Sequence, residues 1–207
     1  NRYYMNNELK RLEKKYNSIM VSPTEKESQY YNSVMSSFSY KKISKGRLYN
    51  IKPYEIQRAG LNPGKELKEN PKKIKGVCVY YFDTKDNILL IEIYGQNENI
   101  INRHYYFHTV NQIKSIYFNS GYQSIRNIDL LKCKNGQVME VLNYGEMGSS
   151  ISNYIYDSGK LIEIDIKQKE HNKNEIAKYK VYFEYKDDIL NRIVDKHPNG
   201  YEEQRYP

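Results

Sequence analysis

Tyr154-Ile155-Tyr156-Asp157-Ser158-Gly159-Lys160-Leu161-Ile162-Glu163-Ile164 decides the fold. It reads as a β-hairpin. An aromatic strand runs into Asp157-Ser158-Gly159, and Leu161-Ile162-Glu163-Ile164 begins the return. Gly supplies the positive φ that a tight turn requires, and Asp and Ser hydrogen-bond their own backbone there.

The signature recurs. An aliphatic-x-x-aliphatic step follows a polar turn at Ile88–Ile91, Ile113–Ile116, Val138–Val141, Leu161–Ile164 and Leu190–Ile193. The turns are Asp86-Asn87, Asn111-Gln112, Asn135-Gly136, Ser158-Gly159 and Asp187-Asp188. Aromatic strands precede four of them, and Leu130-Leu131-Lys132-Cys133 replaces the aromatic strand before the third. A lone hairpin is marginal in water, whereas stacked copies bury one another's faces. The 23 Tyr, with no Trp, suit a broad sheet whose rings cover apolar neighbours while the hydroxyls stay wet. The expected fold class is therefore mainly β: an antiparallel meander of about five hairpin repeats, roughly ten strands in all, preceded by an N-terminal helical hairpin.

The last two copies resemble a known family. Tyr156-Asp157-Ser158-Gly159-Lys160-Leu161, and the run from Tyr182 through Asp187-Asp188 and Leu190 to Pro198-Asn199-Gly200, are similar to YD repeats of the Rhs type. The resemblance spans residues 77–207 and is degenerate in the first three copies: Phe82-Asp83 keeps the aromatic-Asp pair, Phe107-His108 and Cys133-Lys134 do not. It implies a bacterial surface, secreted or polymorphic-toxin-associated setting. A stand-alone chain with five copies would then bind a protein such as a toxin, in an immunity-type role, and could be cytoplasmic in that case.

The net charge of +8 is unevenly spread. Residues 1–76 carry 17 Lys and Arg against 7 Asp and Glu, a balance of +10; residues 77–207 carry 16 against 18, a balance of −2. The repeats are thus near neutral, and nucleic-acid binding by the sheet is not expected. No apolar run approaches the length of a transmembrane helix. Cys78 and Cys133, the only cysteines, lie in strand-like apolar runs and read as free thiols rather than a disulfide framework. The chain begins at Asn1, which suggests a trimmed leader or a designed start.

The chain divides into residues 1–40, a helical hairpin; 41–76, a basic irregular connector; and 77–207, the β-repeat sheet. Met5, Leu9, Leu12, Tyr16 and Ile19 form one apolar stripe, capped by Asn6 or Asn7. Ser22-Pro23-Thr24-Glu25 reads as a capping box opening a second helix. Pro53 to Gly60 reads as a short helix. Lys41, Lys42, Lys45 and Arg47, with Lys72, Lys73 and Lys75, are the candidate contacts to an anionic partner.

Nucleotide and nucleophile-elbow motifs are absent from the sequence. His104 and His108 share a strand face about 13 Å apart, too far for one metal. Glu163 with Asp165 reads as exposed strand acids, Asp187-Asp188 as turn acids, and Asp157 as a turn former. The expectation is a non-enzymatic binding or scaffold protein with no cofactor, catalytic residue or metal, engaging a protein through the sheet. The alternatives are polysaccharide binding or a carboxylate-dependent glycan hydrolase, and an anionic lipid or nucleic-acid contact through residues 41–75, which salt would weaken.

Overall fold

The computed structural model describes residues 6–95, 100–119 and 121–207. In chain order these form α1 (Asn7–Met20), α2 (Pro23–Ser37), β1 (Tyr40–Lys45), α3 (Glu55–Arg58), β2 (Lys65–Leu67), β3 (Val77–Phe82) and β4 (Ile88–Tyr94). The meander continues through β5 (Ile101–His108), β6 (Gln112–Asn119), β7 (Ser124–Lys134), β8 (Gln137–Gly145), β9 (Gly148–Asp157), β10 (Lys160–Glu170), β11 (Ala177–Lys186), β12 (Ile189–Lys196) and β13 (Glu202–Tyr206). All thirteen strands belong to one antiparallel sheet, ordered β13 down to β3, then β1 and β2. The five expected hairpins are β3–β4, β5–β6, β7–β8, β9–β10 and β11–β12.

The aliphatic-x-x-aliphatic step has a physical cause. Residues three apart on a regular strand face opposite sides. In four hairpins the register slips by one residue within the step, so Leu89, Met139, Ile162 and Asn191 are the extra residues of β-bulges beside the turns. Leu161 and Ile164 then fall in one buried cluster, as do Val138 with Val141 and Leu190 with Ile193, and Ile88 with Ile91. The second copy pairs β5 with β6 without a slip. There Ile113 packs on one side of the sheet and Ile116 on the other. Three turns hold two consecutive positive φ angles: Asn135-Gly136 (51° and 76°), Ser158-Gly159 (50° and 80°) and Asp187-Asp188 (49° and 66°). That conformation matches the twist of paired strands.

Bulges bend the strands that carry them and increase their twist, and this sheet rolls. Laid flat, it would put β13 more than about 50 Å from β1. Yet a Cβ on Gly60 would stand 3.5 Å from the Arg205 carbonyl on β13, and a Cβ on Gly64 would stand 2.1 Å from the Lys45 carbonyl on β1. Gly60 and Gly64 are four residues apart and span no more than about 14 Å. The two ends of the sheet therefore come close together around residues 46–64, which run as a strap along the inner, concave face.

The segment expected as an irregular connector is thus built into the sheet. It supplies β1 and β2, and the strap between them fills the interior. Leu48, Tyr49 and Ile51 pack on Cys78, Tyr80, Phe82, Ile91 and Tyr106. Ile51 and Tyr54 pack on the cluster of Tyr154, Ile164, Val181, Phe183 and Ile193. The Arg205 guanidinium donates to the Arg58 carbonyl (3.4 Å), tying α3 to β13. Sequence alone hides this, because the strap's apolar residues follow neither helical nor strand spacing.

The helices cover the outer face. Leu9, Leu12, Ile19 and Val34 join Val79, Tyr81, Leu90, Tyr105, Ile116, Phe118, Ile128 and Leu142 in one core. Asn6 caps α1, its side chain accepting from the Glu8 and Leu9 amides; Met5 lies outside the described residues. Ser22 is the N-cap residue of α2, as expected, and Pro23 sits at the helix start, but Ser22 makes no side-chain cap, so the expected capping box does not form. Cys78 is buried and Cys133 half-buried, both free. No described helix is long and apolar enough to cross a membrane.

Candidate functional site

The turns of the five repeat hairpins all lie at one end of the rolled sheet. At the opposite end the inner face becomes polar. Register places Ser115, Asp129, Asn143, Ser150 and Gln168 side by side across β6 to β10. The adjacent row carries His104, Tyr117 and Asn127. On regular strands every second residue returns to the same face, so these rows share the inner side with the strap.

Asp129 is the centre of this surface and is fully buried. Its carboxylate accepts from Lys52 Nζ of the strap (2.7 Å), from Asn143 Nδ2 (2.5 Å) and from Asn127 Nδ2 (3.3 Å). Burial alone would raise its pKa. The Lys52 ammonium and the Asn143 donor outweigh that and hold the carboxyl below its ordinary value. Lys52 responds reciprocally: burial opposes its charge, but Asp129 prevails and its pKa rises.

His104 stands near this pair. Its Nδ1 shares a hydrogen bond with the Tyr106 hydroxyl (2.9 Å), and its ring meets Tyr117 edge-on at 4.9 Å. Nε2 has no hydrogen-bond partner among the described residues. Burial lowers the imidazole pKa to about 3, so the ring is neutral near pH 7.

The polar rows open into a cleft of about 720 Å³. Asn127, Asn143, Ser150 and Gln168 line its inner wall, and Arg126, Glu146, Met147, Lys169 and Glu170 lie around its rim. The wall offers carboxamide and hydroxyl groups, able to donate and accept at once. The rim carries both charge signs. On the connections at this end Tyr122, Met147 and Tyr201 are strongly exposed.

The residues singled out in the sequence are dispersed. Lys41 is exposed, and Lys42 meets the Tyr49 hydroxyl (3.1 Å) and Glu66 (3.8 Å). Lys45 donates to the Lys75 carbonyl, which brings the two basic runs together at that point. Lys72, Lys73 and Lys75 are exposed, whereas Arg47 turns toward the interior, where Glu55, Tyr80 and Tyr106 surround it. The basic cluster around β1 is therefore split between surface and lumen. His108 bonds to the Ile88 carbonyl (2.7 Å), separate from His104. Glu163 pairs with Lys180 (2.6 Å), and Asp188 with Lys160. Among the described residues no group of three or more His, Cys, Asp or Glu comes together as a metal-ligand set.

Sequence reasoning passed over Asp129 and Lys52. One signal was available: Asp129 sits inside the apolar run Ile128-Asp129-Leu130-Leu131, where a charge has to find a partner. Set against protein-family models and curated proteins, the chain matches none.

Proposed function

We propose that the chain is a non-enzymatic binding protein that receives a protein partner at the polar end of its rolled sheet. The observation that carries this reading is the coincidence, at one end, of a 720 Å³ polar cleft with exposed Tyr122, Met147 and Tyr201. Interfaces combine buried aromatic and Met anchors with a polar, hydrogen-bonding surround. A partner loop entering the cleft would meet the amide and hydroxyl wall, while the exposed side chains pack around it. A toxin bound in an immunity-type role, in the surface or toxin-associated setting of Rhs-like proteins, is one such partner.

A polysaccharide is the second reading. The Asn, Ser and Gln lining favours it, because such groups match ring hydroxyls as well as peptide groups.

The test is capture from native cell extract by the full chain, at low and high salt, beside a Ser150→Trp variant that fills the cleft and a Tyr122→Asp/Met147→Asp variant. A protein retained at high salt by the wild type and lost from both variants supports the reading. A partner held equally by both variants contradicts it. Glycan binding lost only with Ser150→Trp would replace the protein by the polysaccharide. Capture of nucleic acid or anionic lipid alone, lost at high salt, would move the function to the basic residues of 41–75.

A further inference from the structure

A second recess lies on the outer face, away from the polar cleft and independent of it. It opens between the helices and β5 to β7 at the tight-turn end, with a volume of about 290 Å³. Ile116 and Leu130, 1% and 8% exposed, lie at its base. Phe107 forms a wall and is 39% exposed, its ring edge-on to Tyr30 at 5.4 Å. Phe107, Lys114 and Leu130 are direct neighbours across three strands. Lys15 of α1 reaches the same recess, its Nζ 5.9 Å from the Tyr30 ring centroid.

The chemistry is one-sided. None of the eight lining side chains is acidic, and two are lysines. An apolar hollow with cations beside it suits a ligand that is itself half apolar and half anionic. A purely apolar ligand would leave the lysines unmatched, and a phosphate-rich one would gain nothing from Phe107, Ile116 and Leu130. The volume is at the small end of ligand pockets, which suits a fragment-sized molecule rather than a nucleotide.

We infer that this recess binds a small amphiphilic monocarboxylate, a medium-chain acyl or aryl acid. Its tail would rest on Phe107, Ile116 and Leu130, and its carboxylate would meet Lys15 and Lys114. Charge-assisted hydrogen bonds to an ammonium are among the stronger polar contacts, and the apolar base supplies the remainder.

The test is calorimetric titration of the full chain with octanoate below its micellar range, beside octanol and acetate. One saturable site is expected, with octanol and acetate each at least about tenfold weaker, a difference of roughly 1.4 kcal/mol. Lys114→Gln and Phe107→Ala should each weaken octanoate about tenfold with unchanged circular dichroism, while Lys178→Gln, at an exposed position of β11 outside the recess, leaves it unaltered. Absence of a saturable octanoate site overturns the inference. So does octanol binding as tightly as octanoate, or full affinity in folded Lys114→Gln. A hydrophobic acidic peptide that binds the recess while octanoate does not would replace the small acid by a protein segment and also overturn it.

Discussion

Asp129 shows how one residue organises the polar end. A carboxylate with no solvent exposure is tolerated because Lys52 reaches it from a segment 77 residues earlier in the chain. Removing one partner of such a pair leaves an uncompensated buried charge, whereas removing both can cost little. Lys52→Met should therefore destabilise the fold by about 3 kcal/mol or more in urea unfolding. The double variant Lys52→Met/Asp129→Asn should recover most of that loss. If the single variant unfolds like the wild type, the strap is not held by this pair.

His104 adds a pH dependence whose sign is fixed. Its pKa is lowered in the folded state to about 3, against about 6.5 when unfolded. Above that unfolded value the ring is neutral in both states and its contribution is intact. As pH falls from about 6.5 toward 3 the unfolded chain binds a proton that the folded one refuses, and stability drops by up to about 1.4 kcal/mol per pH unit. Lys52 and Arg47 nearby also disfavour the charged ring, while Asp129 favours it. Urea midpoints at pH 7 and pH 5 should separate clearly for the wild type and converge for His104→Gln. Equal separation in both proteins would show that His104 is not the responsible group.

At the scale of elements, the bulge is the unit that matters. It turns an i, i+3 aliphatic pair into two residues on one face, and so converts a helix-like spacing into strand packing. Deleting Ile162 removes the extra residue of the fourth hairpin. Leu161 and Ile164 then stand two apart, where a regular strand still puts them on one face, and Leu161 keeps its pairing with Tyr156 and Ile164 with Tyr154. We expect the deletion to cost well under the several kcal/mol of a buried Leu or Ile replaced by Ala. Ile162→Ala should cost little too, since this side chain is 37% exposed. A deletion as destabilising as Leu161→Ala would refute the bulge account, because on a strand without a bulge the deletion would turn Leu161 or Ile164 outward. The five steps and their turns were legible from spacing alone, as were α1, its Asn6 cap and the short α3. Their role as bulge markers was not, because spacing does not reveal which residue is left unpaired. The strap was not legible either. Leu48, Ile51, Tyr54 and Ile56 gain their meaning from strands far away in the chain.

Across the whole molecule, the roll explains three features together. It keeps the sheet's short end strands, β2 and β13, near each other, with the latter tied to the strap; short edge strands limit pairing with other chains. It gathers apolar inner side chains around the strap, giving 207 residues a core that a flat sheet of this composition would lack. It also brings Asn127, Asn143, Ser150 and Gln168 onto one inner wall, which is why the candidate cleft could not be seen from local motifs.

A distance across the sheet tests the roll directly. Spin labels at Lys65→Cys, beside the strap's return, and at Gln204→Cys on β13, with Cys78→Ala and Cys133→Ala removing the native thiols, can be measured by pulsed electron–electron double resonance. The rolled sheet predicts backbone positions within about 25 Å, allowing four strap residues and their contacts. A main distance near 50 Å or beyond, as expected for strands stacked in an open sheet, would contradict the roll and with it the polar cleft.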